Sequence, residues 1–184
     1  MDQTRIVIVE DEPEFRRRVS EIIRAEPGFA VVGTAGNGAE ALALIEGTAA
    51  EVFLVDLGLP DMDGTRVIRA ANARYPEADV VVVTVFGDDR HVLASIEAGA
   101  TGYLLKDVSA EDLVRSIRSL RAGGSPISPV IARRLLQRLR PPSPAEEGAL
   151  SPREREILQF IAKGFSFEEV WVCSPSPPTP LPLM

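Results

Sequence analysis

Val52-Phe53-Leu54-Val55-Asp56 runs on into Leu57-Gly58-Leu59-Pro60-Asp61-Met62-Asp63-Gly64. Four apolar residues stop at a carboxylate, and a turn rich in Gly and Pro follows. An unbroken apolar run of this length is the habit of a strand buried on both faces, as in parallel sheets. Asp56 then falls at the carboxyl end of the strand, where open α/β sheets place their chemistry. An Asp in such a place is as often a plain turn residue, so the rest of the chain has to decide.

Outward from this stretch the same unit repeats. Arg5 to Val9 is an apolar run closed by Glu10-Asp11-Glu12, and Pro13 suits the first turn of a helix. Phe15, Val19, Ile22 and Ile23 lie on one helical face. Phe29 to Val32 is predicted as the second strand, and Ala39 to Ile45 as a helix. After Asp56 comes a helix from about Thr65 to Arg74. Val80 to Val83 is a strand closed by Thr84, followed by a helix carrying Val92, Leu93 and Ile96. Tyr103-Leu104-Leu105 is a strand closed by Lys106. Ser109 and Asp112 have capping-box spacing and open a helix with Leu113, Ile117 and Leu120 on one face. Five β–α pairs in strict alternation predict a flavodoxin-like (βα)5 fold. This is a doubly wound parallel sheet with helices on both sides, of strand order 2-1-3-4-5.

The residues that close the strands are Glu10, Asp11, Asp56, Thr84 and Lys106, and this topology brings them to one sheet edge. Three carboxylates together are costly unless a cation shares them. Hard oxygen donors at an open site suit Mg²⁺. Thr84 can donate to a phosphoryl oxygen and Lys106 can neutralise its charge. Lys106 is one of two lysines beside 18 arginines. The chemistry suggested is attack by the Asp56 carboxylate on phosphorus, giving an aspartyl-phosphate. The lone histidine, His91, is expected on the surface of the helix after the fourth strand, away from this site.

Residues 1–122 resemble the receiver domain of bacterial two-component response regulators. The resemblance rests on Val9-Glu10-Asp11-Glu12, the stretch Asp56 to Gly64, Thr84, and Gly102-Tyr103-Leu104-Leu105-Lys106. It implies that a sensor histidine kinase phosphorylates Asp56. It also implies that Asp11, Asp56 and the Gly58 carbonyl bind Mg²⁺, with Glu10 reaching it through water. Thr84 and Tyr103 would form a switch pair, and a homodimer through receiver faces is possible in the family. Asp107 stands where many receivers carry proline, which removes an expected cis bond.

Residues 123–148 are expected to form a linker with one helix. Ile131, Leu135, Leu136 and Leu139 would be its apolar face, and Arg133, Arg134, Arg138 and Arg140 would decorate the rest, as a solvated face in preference to phosphate contact. Residues 149–170 resemble the start of a LuxR-type helix-turn-helix, as in the branch related to NarL; Ser151 and Glu154 form its capping box. Residues 171–184 hold five of the 15 prolines, so an aberrant, disordered tail is expected there. Sequence-specific DNA binding is therefore expected to be lost by frameshift or truncation, though the family controls transcription.

Bulk composition agrees. Residues 1–122 carry 13 Lys+Arg against 21 Asp+Glu, which repels nucleic acid; residues 123–184 carry 7 against 6. One cysteine, with neither a membrane-length apolar run nor a signal-peptide pattern, points to a cytoplasmic chain without a membrane partner. The chain is not expected to be a turnover enzyme, though it could catalyse its own dephosphorylation. Two alternatives stand. One is a stand-alone receiver acting through protein contacts. The other is a haloacid-dehalogenase-type phosphatase, since Asp61-Met62-Asp63-Gly64-Thr65 fits D-x-D-G-T. In that superfamily, however, the first Asp directly follows the strand.

Overall fold

The computed structural model describes residues 3–138. Five strands, β1 (Thr4–Val9), β2 (Phe29–Ala35), β3 (Val52–Val55), β4 (Asp79–Thr84) and β5 (Gly102–Leu105), alternate with α1 (Pro13–Ala25), α2 (Gly38–Gly47), α3 (Gly64–Arg74), α4 (Asp89–Glu97) and α5 (Ala110–Arg121). A sixth helix, α6 (Pro129–Arg138), follows. All strand pairs are parallel and their order is β2-β1-β3-β4-β5, as expected.

The apolar runs are buried on both faces. Phe53 and Val55 join Val7, Val9, Val80, Val82 and Tyr103 in one core, packed against Ala41, Ile45, Val67, Ile68 and Val92. Val52 and Leu54 join Ile6, Ile8, Val81, Val83 and Leu104 in the other, against Val19, Ile23, Leu113, Ile117 and Leu120. Helices α2, α3 and α4 thus cover one face, and α1 and α5 the other. Truncating a fully buried residue such as Phe53 to Ala costs about 3–5 kcal/mol.

Local chemistry marks the helix starts. The Asn37, Asp63, Asp88 and Ser109 side chains accept from N–H groups in the first turns of α2, α3, α4 and α5. Ser109 caps α5, with the Asp112 N–H 3.1 Å from Ser109 Oγ, and the Asp112 carboxylate accepts from the Ser109 hydroxyl at 2.8 Å.

Three departures from the sequence reading have physical reasons. First, β2 continues to Ala35 rather than stopping at Val32. A register shift opposite Ile6/Val7 lets Gly33, Thr34 and Ala35 pair with Val7, Ile8 and Val9. Second, the stretch after Gly124 returns to the sheet. Tyr103 and Ile127 form a parallel bridge, and Ile131 is fully buried in the core on the α4 side. Third, Leu135 packs partly on that core, while Leu136 is 64% exposed, because α6 presents only a narrow stripe inward. No cis peptide bond occurs among the described residues. Leu139, Arg140, the expected helix-turn-helix start at 149–170 and the proline-rich tail at 171–184 lie outside the described residues.

Candidate functional site

The carboxyl ends of β1 and β3 lie side by side, with the Asp56 N–H donating to the Val9 carbonyl at 2.9 Å. Glu10 and Asp11, which follow β1, therefore meet Asp56, which follows β3. Ligand-type oxygens of all three lie within 4.8 Å of one another. Glu10 and Asp56 are buried, at 2% and 4% exposure. Lys106, just past β5, reaches across the sheet edge. Its Nζ is 2.7 Å from Glu10 Oε1 and 2.8 Å from Asp56 Oδ2. It also lies 5.0 Å from the centroid of the Phe15 ring, a cation–π contact. Thr84, fully buried at the end of β4, accepts the Lys106 N–H on its carbonyl at 2.9 Å.

The surrounding backbone is built to hold these groups. The Gly58 N–H is 3.2 Å from Asp56 Oδ1, so the loop after β3 folds back over the carboxylate. Gly64 starts α3 directly beneath: a Cβ there would stand 2.3 Å from the Asp56 carbonyl oxygen. The Arg16 guanidinium donates to the Glu10 carbonyl and, at 3.4 Å, to that of Asp11.

Charge follows burial and contact. Burial pushes the Glu10 carboxyl up to about 7, and the Asp56 charge adds to this; the Lys106 ammonium and the Glu12 N–H act in the opposite direction. For Lys106, burial opposes the charged form, but its bonds to Asp56 and Glu10 outweigh that and raise its pKa. With all four groups ionised, three carboxylates and one ammonium leave an excess of two negative charges. A cluster of hard oxygens with that excess fits a divalent cation such as Mg²⁺.

Tyr103 is buried, and its hydroxyl donates to the Phe86 carbonyl at 2.9 Å, two residues beyond Thr84. Burial raises its pKa, with the charges of Asp88 and Asp56 adding to it. Phe86 itself escaped the sequence reading. Its ring edge lies 3.3 Å from where a Cβ on Gly58 would stand. His91, expected on the surface away from the site, is partly exposed; it stacks on Phe86 with centroids 4.5 Å apart and pairs with Asp88 at 2.6 Å. No local pattern signals this, because the stack depends on how α4 docks.

Asp61 and Asp63 are otherwise engaged. Asp61 accepts from the N–H groups of Gly38 and Ala39 at 2.7 and 2.8 Å, which holds its pKa down, and so ties the loop after β3 to the start of α2. Asp63 caps α3. Both are helix caps beyond the strand end, which removes the geometric basis for the phosphatase alternative.

Residues 6–118 match the response regulator receiver domain family. The chain is 32% identical over 163 residues to the nitrate/nitrite response regulator protein NarL of Escherichia coli K12, covering 86% of this chain and 75% of that protein. It is 33% identical over 169 residues to the uncharacterized transcriptional regulatory protein YhcZ of Bacillus subtilis, covering 90% and 78%. Among solved structures, a LuxR-family two-component response regulator from Aurantimonas sp. SI85-9A1 superposes with a TM-score of 0.69 at 31% identity, covering 74% of this chain and 98% of that one. The chain belongs to the two-component response regulators, in the NarL/LuxR-type branch. Receiver domains of this family bind Mg²⁺ through acidic residues, response regulators pair with sensor histidine kinases, and they are generally not enzymes. No helix among the described residues is long and apolar enough to cross a membrane.

Proposed function

We propose that this protein is a phosphorylation-switched regulator of transcription whose phosphoryl acceptor is Asp56. The observation that carries the reading is the double contact of Lys106 Nζ with Asp56 and Glu10, with Asp11 completing the acidic cluster. An oxygen of the Asp56 carboxylate attacks the phosphorus of a phosphohistidine on a sensor kinase. The P–O bond forms as the P–N bond breaks, and the imidazole nitrogen leaves with the electron pair. Lys106 stays beside the acceptor oxygen and offsets the charge gathered on the phosphoryl oxygens. Thr84 donates its hydroxyl to one of them. Asp11, Asp56 and the Gly58 carbonyl would hold Mg²⁺, with Glu10 acting through water. Bound there, the ion supplies charge neutralisation between acceptor and phosphoryl group.

In this reading residues 1–122 are the receiver, residues 123–148 the linker with its helix, and residues 149–170 the start of the output segment. A homodimer through receiver faces and self-catalysed loss of the phosphoryl group belong to the same proposal. Incubation with acetyl phosphate and Mg²⁺, followed by intact-mass spectrometry, tests it. One added phosphoryl group is expected in the wild type and none in Asp56→Asn. Equal yield in the variant, or full yield in excess chelator, overturns the assignment.

A further inference from the structure

The chain beyond α5 is clasped to the site from outside. The Tyr103 N–H donates to the Pro126 carbonyl and the Ser128 N–H to the Tyr103 carbonyl, both at 2.9 Å. The Leu105 N–H reaches Ser128 Oγ at 3.2 Å. These bonds fasten residues 126–128 along the free edge of β5 and so fix where α6 begins. From α6, the Arg134 guanidinium donates to the Gly87 carbonyl at 2.5 Å. The buried Ile131 comes within 3.6 Å of where a Cβ on Gly87 would lie, so α6 sits closely against that loop.

Two adjacent carbonyls of the loop after β4 are thus held by two donors. Tyr103 takes Phe86 and Arg134 takes Gly87. The same loop leads away from Thr84, whose hydroxyl oxygen lies 3.5 Å from the Phe86 N–H. If Thr84 is drawn toward a phosphoryl group on Asp56, residues 86 and 87 must shift with it. The α6 start cannot follow, because its backbone is bonded to β5.

We infer that α6 is a latch on the β4–α4 loop, with the Arg134 contact to the Gly87 carbonyl opposing phosphorylation of Asp56 and being released by it. This rests on the assignment of Asp56 and Thr84 above. Coupling between two sites is reciprocal at equilibrium: if occupancy of Asp56 by a phosphoryl group or its mimic weakens the latch, loss of the latch must tighten that occupancy by the same factor. The Arg134 side chain is exposed and bonds to a backbone carbonyl rather than to the acidic cluster, so its loss should leave the fold intact.

The experiment uses the full chain and reads both ends. Hydrogen exchange of the 129–138 amides is measured with and without beryllofluoride and Mg²⁺, a stable mimic of the phosphoryl group. Exchange should quicken by about fivefold or more, the lower range of such couplings. Arg134→Ala should exchange fast in both states and should bind beryllofluoride about fivefold more tightly, whereas Arg134→Lys should fall back toward wild type. Unchanged α6 protection in protein that binds beryllofluoride, or a wild-type beryllofluoride affinity in Arg134→Ala, overturns the latch alone. Failure to label Asp56 in the wild type would refute the acceptor assignment, and the latch with it.

Discussion

Lys106 and Asp56 meet at 2.8 Å across the sheet edge, one from the end of β5 and the other from the end of β3, with the whole of β4 between their strands. The ammonium shares its second contact with Glu10, so one cation holds two buried acids in place.

Replacing that cation should impair the chemistry more than the fold. Lys106→Met is expected to lower the rate of phosphorylation by acetyl phosphate on the order of a hundredfold, as loss of one preorganised charge donor does. Rates followed by intact-mass spectrometry at saturating Mg²⁺ would check this. A change smaller than about threefold would remove Lys106 from the mechanism.

Glu10 should leave a signature in the pH dependence of stability. Burial pushes its carboxyl up to about 7 in the folded state, above its ordinary value of 4.5. The folded state therefore binds the extra proton between those values. The associated stability is complete below about pH 4.5 and is lost as pH rises through 7. Denaturant unfolding in chelator should show wild type losing stability relative to Glu10→Gln over this range. Added Mg²⁺ should flatten the difference. Parallel curves in chelator would contradict the prediction.

Gly64 is predicted to be irreplaceable. A Cβ there would meet the Asp56 carbonyl oxygen at 2.3 Å and the Leu57 Cα at 2.8 Å, both backbone atoms that cannot swing aside. Gly64→Ala should cost about 3 kcal/mol in urea unfolding, the upper part of the range for overpacking, and should reduce labelling of Asp56. Gly47→Ala, where nothing lies within 4 Å, is the control and should be near neutral.

Much of this protein is written locally. A strand buried on both faces must be apolar throughout, so Val52 to Val55 and Val80 to Val83 announce a parallel sheet without reference to any partner. Alternation with helices then sends every strand's carboxyl end to one edge. That places Glu10, Asp11, Asp56, Thr84 and Lys106 together before any distance is known. Helix starts are equally local, since Ser109 and Asp112 lie three residues apart and cap within one turn. What only the tertiary structure decided is which surfaces meet. Arg134, expected to be solvated, finds the Gly87 carbonyl 47 residues earlier in the chain. Ile131 reaches the core while Leu136, on the same short helix, stays exposed. His91 stacks on Phe86 because α4 docks with its first turn beside that ring. These contacts depend on the direction in which a helix leaves its loop and on the edge of β5 that residues 126–128 occupy. Such quantities arise from packing between distant segments, and no periodicity along the chain encodes them.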